Sequence, residues 1–304
     1  MKKKRQHYVW QFYLNEWADS NNQICCLREN TIFRTSTENT AVEKYFYKDI
    51  PLSEKDIAFI RLFFSNRTDS VRSMVESQLK FYDSPRYFES IMDFFGSNDE
   101  GSKEFLDELS VNFHEDYHSL IESDAIPLLK KIKSENCELS PDEFFSLNYY
   151  VSMQWTRTKA NRIRVENAWV DIEKFGVNRI ALTSFMNYIF AYNLAFGLTR
   201  NYDMKVINND TELEFITGDQ PIVNLEGKYD GTLEPPTKLV LYYPLSPKKA
   251  LFYISKSENS QFPDIDESKV IELNNHIKKA SMESLFATNE DILTGFKNIE
   301  VTAT

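Results

Sequence analysis

Residues 140–166 carry the clearest helical pattern in the chain, and their apolar stripe changes character halfway along. Ser140 can cap, Pro141 suits the first turn and Glu143 completes a capping box. At about 100° per residue, Leu147, Tyr150 and Val151 share a face that continues into Gln154, Arg157, Thr158 and Asn161. The helix is expected to run to about residue 175, before Gly176. A face that should be buried turns polar, which makes Gln154, Arg157 and Asn161 candidates for lining a pocket.

Elsewhere the pattern alternates between strand and helix. Residues 7–18 (HYVWQFYLNEWA) are too rich in aromatic and aliphatic side chains for an exposed loop and read as a short buried helix or strand. Residues 23–29 and 31–37 predict a hairpin about Glu29-Asn30, and 41–47 fits either strand or helix. Helices are expected over 53–64, 68–82, 85–95 and 99–122, with breaks at Ser84-Pro85, Gly96-Ser97 and 124–127. Residues 178–198 form a second apolar helix, the partner of 140–175 in the spine of a bundle. Strand patterns return at 212–217, 221–225, 238–243 and 250–255, and 266–287 reads as a closing helix. The order predicts an α+β fold in one compact domain, 1–304. A predominantly helical bundle (51–202) packs on a small, mainly antiparallel sheet shared by the N-terminal hairpin (1–50) and the C-terminal strands (203–304).

With 304 residues, 42% of them hydrophobic, the chain can fill such a core. No run approaches the roughly 18 apolar residues of a membrane span, and MKKKRQ leads into no apolar segment of secretory type. The expectation is a cytoplasmic protein with no membrane partner. Cys25 and Cys26 are adjacent and Cys137 stands alone, which gives neither a disulfide framework nor a cysteine metal site. The net charge of −11 opposes non-specific nucleic-acid binding over the whole surface. Two local exceptions stand out: Lys2, Lys3, Lys4 and Arg5, read as a solvated tail, and Arg157, Lys159, Arg162 and Arg164.

Three constellations could carry chemistry. His114-Glu115-Asp116-Tyr117-His118 is an H-E-x-x-H sequence, the pattern of a zinc metalloprotease, with Glu135 or Glu138 as a third ligand. The stripe Leu109, Phe113, Tyr117, Leu120 leaves both histidines at its edge or on the solvent side, so a solvated helix face is the favoured reading. Thr217-Gly218-Asp219-Gln220-Pro221 sets a carboxylate at a strand end. With Glu226-Gly227-Lys228 it loosely resembles the acid and E-x-K of metal-dependent nucleases, whose cofactor would be a divalent metal, while an Asx-type turn explains Asp219 equally well. Finally, Arg157 on a buried face needs an anion, either Asp219 or a phosphate or carboxylate of a ligand. No G-x-S-x-G sequence, no Cys beside a His and no phosphate-cradling glycine loop is present.

The segments His7-Tyr8-Val9-Trp10-Gln11-Phe12-Tyr13-Leu14, Gln154-Trp155-Thr156-Arg157-Thr158, Thr217-Gly218-Asp219-Gln220-Pro221 and Pro244-Leu245-Ser246-Pro247 occur in that order. Together with an Asn in the C-terminal helix, here Asn274 or Asn275, they resemble the bacterial family known as domain of unknown function 4238. The chain departs from that pattern at Trp10 and Trp17, where the family has Pro and Phe. The resemblance spans most of the chain and implies little about activity, but it sharpens the site. His7, Gln11, Gln154, Arg157 and Asp219 are expected to converge in one pocket, with His7 or Asp219 as base, Arg157 holding a phosphate, and the amides, Asn161 included, orienting it. The leading expectation is a nuclease-like or nucleotide-directed hydrolase effector of a toxin or phage-defence module. The alternative is a non-catalytic component that binds a partner protein or itself, with Arg157 and Asp219 as a structural ion pair.

Overall fold

The computed structural model describes residues 1–297 apart from 49, 97–98, 135–137, 230–235 and 258–260. Glu135, Cys137, Ser97 and Gly231 lie outside the described residues. The chain opens with β1 (Arg5–His7), α1 (Gln11–Leu14) and the hairpin β2 (Gln23–Arg28) and β3 (Thr31–Ser36). Glu29 and Asn30 connect the hairpin with φ of 49° and 60°, the two left-handed residues that a tight hairpin turn demands. β4 (Val42–Lys44) then pairs antiparallel with β1, so the ambiguous 41–47 is strand in its middle and a turn from Tyr45 to Tyr47.

The helical region comprises α2 (Glu54–Phe63), α3 (Asp69–Tyr82), α4 (Ser84–Phe94), α5 (Glu100–Lys133), α6 (Pro141–Thr156), α7 (Lys159–Ala168) and α8 (Arg179–Asn201). The capping box at the start of α6 forms as expected, with Glu143 N donating to Ser140 Oγ and Ser140 N donating back to the Glu143 carboxylate. Two expectations fail. The break at 124–127 is absent: α5 runs through Pro127 because Leu128, Leu129 and Ile132 are buried on its inner face, and packing outweighs one missing hydrogen bond. The long helix from 140 to 175 instead stops at Thr156. Thr158 turns extended (ψ 154°) and its hydroxyl caps α7 by accepting from Asn161 N.

The C-terminal part holds β5 (Tyr202–Asn208), β6 (Thr217–Gly218), β7 (Val223–Asn224), β8 (Leu241–Ser246), β9 (Lys249–Ser255), α9 (Glu267–Ala280), β10 (Ser284–Ala287) and α10 (Glu290–Thr294). The N-terminal hairpin shares an antiparallel sheet of order β3-β2-β10-β6 with C-terminal strands, as expected. The other C-terminal strands make a second antiparallel sheet, β5-β9-β8-β7. It is a middle layer. Tyr243, Leu251 and Tyr253 face a core with the bundle, and Tyr242, Ala250 and Phe252 face a second core with α9. Burial on both faces explains why β8 and β9 read as nearly continuous apolar runs. The expected closing helix ends at Ala280, and residues 284–287 form β10. Among the described residues no helix is long and apolar enough to cross a membrane.

Candidate functional site

The helix break delivers Arg157 to the site. Its backbone sits between α6 and α7, and its side chain turns back toward the N-terminal segment, only 3% exposed. The guanidinium carbon lies 4.4 Å from the Trp10 ring centre and 5.0 Å from that of Tyr47. Nη2 donates to the His7 carbonyl, which also accepts from the Tyr47 hydroxyl at 3.3 Å. Nε and Nη1 are buried and find no acceptor among the described residues. A desolvated cation with two idle donors is costly unless an anion meets it.

Beside Arg157 lies a cavity of about 350 Å³. One wall is the N-terminal segment, with His7, Trp10, Gln11, Phe12 and Asn15; the other is one face of α5, with Glu115, His118, Ser119 and Glu122. The i, i+3, i+4, i+7 spacing of the second set is what brings four polar residues to a single helix face. His7 Nε2, His118 Nδ1 and Glu115 Oε2 are further buried atoms without a partner among the described residues. Arg157 and His118 also border a chamber of about 40 Å³ on the side of α8.

The electrostatics suit proton transfer. Burial, and then the Arg157 charge, hold His7 below its ordinary range; the same two causes, with His114, put His118 well below. Burial pushes Glu115 up and Glu122 up to about 7, in each case against the pull of Arg157. Near neutral pH the site combines a fixed cation, two uncharged imidazoles and a carboxyl group that can be protonated.

Of the expected site residues, His7, Gln11 and Arg157 do converge. Gln154 does not face the cavity. Its Oε1 accepts from Trp10 N at 3.4 Å and its Nε2 donates to Tyr8 O at 3.2 Å, so it clamps the segment that carries the site. Asn161 is displaced by the helix break and donates to Thr156 O at 3.1 Å. Asp219 is the larger correction. Its carboxylate accepts from Met282 N (2.8 Å), Glu283 N (2.6 Å) and Ser284 N (3.2 Å), so it tethers the turn before β10 in place of pairing with Arg157. Gly218 is required beside it, because a Cβ there would lie 2.1 Å from Ser281 Oγ and 3.0 Å from Ser284 O. Asn274 plays a similar part, accepting from Ile216 N at 3.0 Å and donating to Glu214 O at 2.8 Å.

The H-E-x-x-H sequence is not the solvated face expected, and a third ligand at Glu135 lies outside the described residues. His114 is buried, its Nδ1 2.7 Å from the Tyr188 hydroxyl, while His118 turns to the cavity. Among the described residues no three of His, Cys, Asp and Glu are grouped to hold a metal ion, and Glu226 lies in the turn after β7 with its N bonded to Asn224. The basic cluster is spent internally too. Lys159 bridges Glu43 and Glu283, Arg162 bonds Glu166 and Phe46 O, and Arg164 donates to Ala280 O. At the N-terminus Lys2 and Lys3 pair with Asp107 and Asp116 along α5, so the basic run is docked and not a free tail.

Sequence reasoning missed Glu115, His118, Ser119 and Glu122 as a set. Their helical spacing was the available signal, masked by the apolar stripe beside it. No curated protein and no solved structure matches the chain. A family model does match residues 5–291, nearly the whole chain, in agreement with the ordered segments from His7 to Pro247, and the chain therefore belongs to the family described as protein of unknown function (DUF4238).

Proposed function

We propose that this protein is an acid–base hydrolase acting on a small phosphate-bearing substrate, bound in the cavity between α5 and the N-terminal segment. The observation that supports it is Arg157, buried against a polar cavity with two donors that meet no acceptor among the described residues. A phosphate oxygen would accept from these donors. His7 Nε2, uncharged and without a partner among the described residues, takes a proton from the attacking water as its oxygen bonds to phosphorus. The bond from phosphorus to the leaving oxygen breaks, and the protonated Glu122 carboxyl supplies the proton that this oxygen needs. A volume of about 350 Å³ is near the lower end of the roughly 300–1,000 Å³ typical of small-molecule sites.

The test is phosphate release from a panel of phosphomonoesters, nucleotides and single-stranded nucleic acid by wild type, His7→Gln, Glu122→Gln and Arg157→Lys. Loss of about 10²–10⁴-fold in each soluble variant supports the assignment. Rates unchanged by all three substitutions overturn it. The effector setting expected from the sequence adds a cellular outcome: wild type arrests growth of a bacterial host, and soluble Arg157→Lys does not.

A specific feature favours the interaction reading as a second one. Tyr87, Phe94 and Phe95, on or next to α4, are 66%, 83% and 74% exposed. An aromatic face of that kind often meets another protein. Concentration-dependent size measured for wild type and Phe94→Ser/Phe95→Ser decides it, since a mass that never changes with concentration or substitution removes self-association.

A further inference from the structure

The phosphate-binding reading above leaves the rest of the substrate open, and the inference here rests on that reading. The two aromatic rings against the cation are already engaged. Trp10 carries Arg157 at 4.4 Å and stacks on Tyr150 at 4.4 Å with an interplanar angle of 14°, so both of its faces are covered. Tyr47 carries Arg157 at 5.0 Å and meets His118 at 4.4 Å. Phe12 has the Lys130 ammonium 6.0 Å from its ring centre. A nucleobase beside the cation would find neither the Trp10 nor the Tyr47 ring free for the stacking, worth roughly 1–3 kcal/mol per base, on which base binding usually depends.

The remaining lining is polar and held in place. Thr37 Oγ1 accepts from Gln11 Nε2 at 3.3 Å and donates to Asn15 Oδ1 at 2.7 Å, so both amides are fixed before any ligand arrives. Opposite them Glu115, whose Oε2 has no partner among the described residues, Ser119 and Glu122 follow one another along α5. Carboxylates, amides and a hydroxyl facing one another are the complement of a ligand that both donates and accepts at many closely spaced points. Hydroxyl groups do this; an apolar or aromatic body would leave these groups unpaired at a cost.

We infer that the substrate is a phosphorylated sugar or polyol, whose phosphate meets Arg157 and whose hydroxyls meet the Gln11–Asn15 amides and the α5 carboxylates, with no nucleobase recognised. Titration calorimetry with inorganic phosphate, ribose 5-phosphate and AMP tests this on wild type, Asn15→Ala and Arg157→Lys. Ribose 5-phosphate is expected to bind at least ~10-fold tighter than inorganic phosphate and no more weakly than AMP, a discrimination of the size that unpaired polar groups give. Asn15→Ala should shrink that preference while leaving inorganic phosphate unaffected. Equal affinity for phosphate and ribose 5-phosphate, or AMP binding ~10-fold tighter than ribose 5-phosphate, overturns the sugar assignment and leaves the phosphate site standing. If none of the three ligands binds in an Arg157-dependent way, the phosphate reading falls, and the sugar assignment with it.

Discussion

The Arg157 guanidinium rests on the Trp10 ring at 4.4 Å, and Gln154, three residues earlier, holds the Trp10 backbone N–H. One helix end thus positions both the cation and the indole that supports it. Its planar charge can lie flat between Trp10 and Tyr47 and still donate in its own plane.

Arg157→Lys should therefore remove phosphate binding while the fold survives. A lysine can neither fill the slot between two rings nor present donors along it. Arg157→Ala should also cost stability, about 1–3 kcal/mol from two lost cation–π contacts and the lost bond to His7 O. Calorimetry and urea unfolding separate the two effects; full phosphate affinity in Arg157→Lys would sink the anion role.

Gln154→Leu should unfold the site from behind. It strands Trp10 N and Tyr8 O in a buried position, which costs about 2–4 kcal/mol. The urea midpoint should fall and tryptophan emission should shift as Trp10 loosens. A midpoint equal to wild type would show that the clamp is dispensable.

Asp219→Asn should behave as a stability variant. An amide cannot accept from all three backbone N–H groups, and its own NH₂ would face donors, so about 2–4 kcal/mol is expected. Gly218→Ala should do comparable damage through its clash with Ser281. Turnover per folded molecule should match wild type in both. A folded Asp219→Asn with no turnover would return Asp219 to the chemistry.

The pH dependence follows from two opposite shifts. His7 must be uncharged to accept a proton, and burial with the Arg157 charge extends that state below the ordinary imidazole range; Glu122 must be protonated, which fails above about 7. Activity should rise on the acid side, peak below pH 7 and fall beyond it, and Glu122→Gln should flatten the alkaline limb. Stability carries the matching sign. A carboxyl raised from 4.5 to about 7 contributes stability fully below pH 4.5, and this is lost as pH rises through 7, on the order of 3 kcal/mol. The stability gap between wild type and Glu122→Gln, measured from pH 4.5 to 8, should narrow or reverse accordingly; a gap constant with pH would refute the shift.

Elements governed by neighbours in the chain were legible. The Ser140–Glu143 box, the Glu29-Asn30 turn and the amphipathic stripes of α2 and α3 depend on residues within a few positions of one another. Elements decided by distant contacts were not. Pro127 reads as a break in any local window, yet buried side chains beyond it carry α5 onward. Residues 284–287 look like the end of a helix until β2 and β6 are there to pair with them. Thr158 reads as one more residue on the face of a long helix, and only the structure shows its hydroxyl capping α7.

For the site, the sequence by itself determined which residues are out of place: His7, Gln11, Gln154, Arg157 and Asp219 are polar groups set among apolar ones, and the family resemblance adds Asn274 or Asn275. Only the tertiary structure decided which of them are spent. A buried amide or carboxylate has the same chemistry whether it clamps a backbone or waits for a ligand, and the difference lies in what stands within hydrogen-bond reach. Gln154, Asp219 and Asn274 meet backbone groups from segments remote in sequence, and their polarity is consumed in holding the fold. Arg157 meets two aromatic faces and a single carbonyl, and two of its donors find no acceptor among the described residues, which is what the proposed phosphate would use.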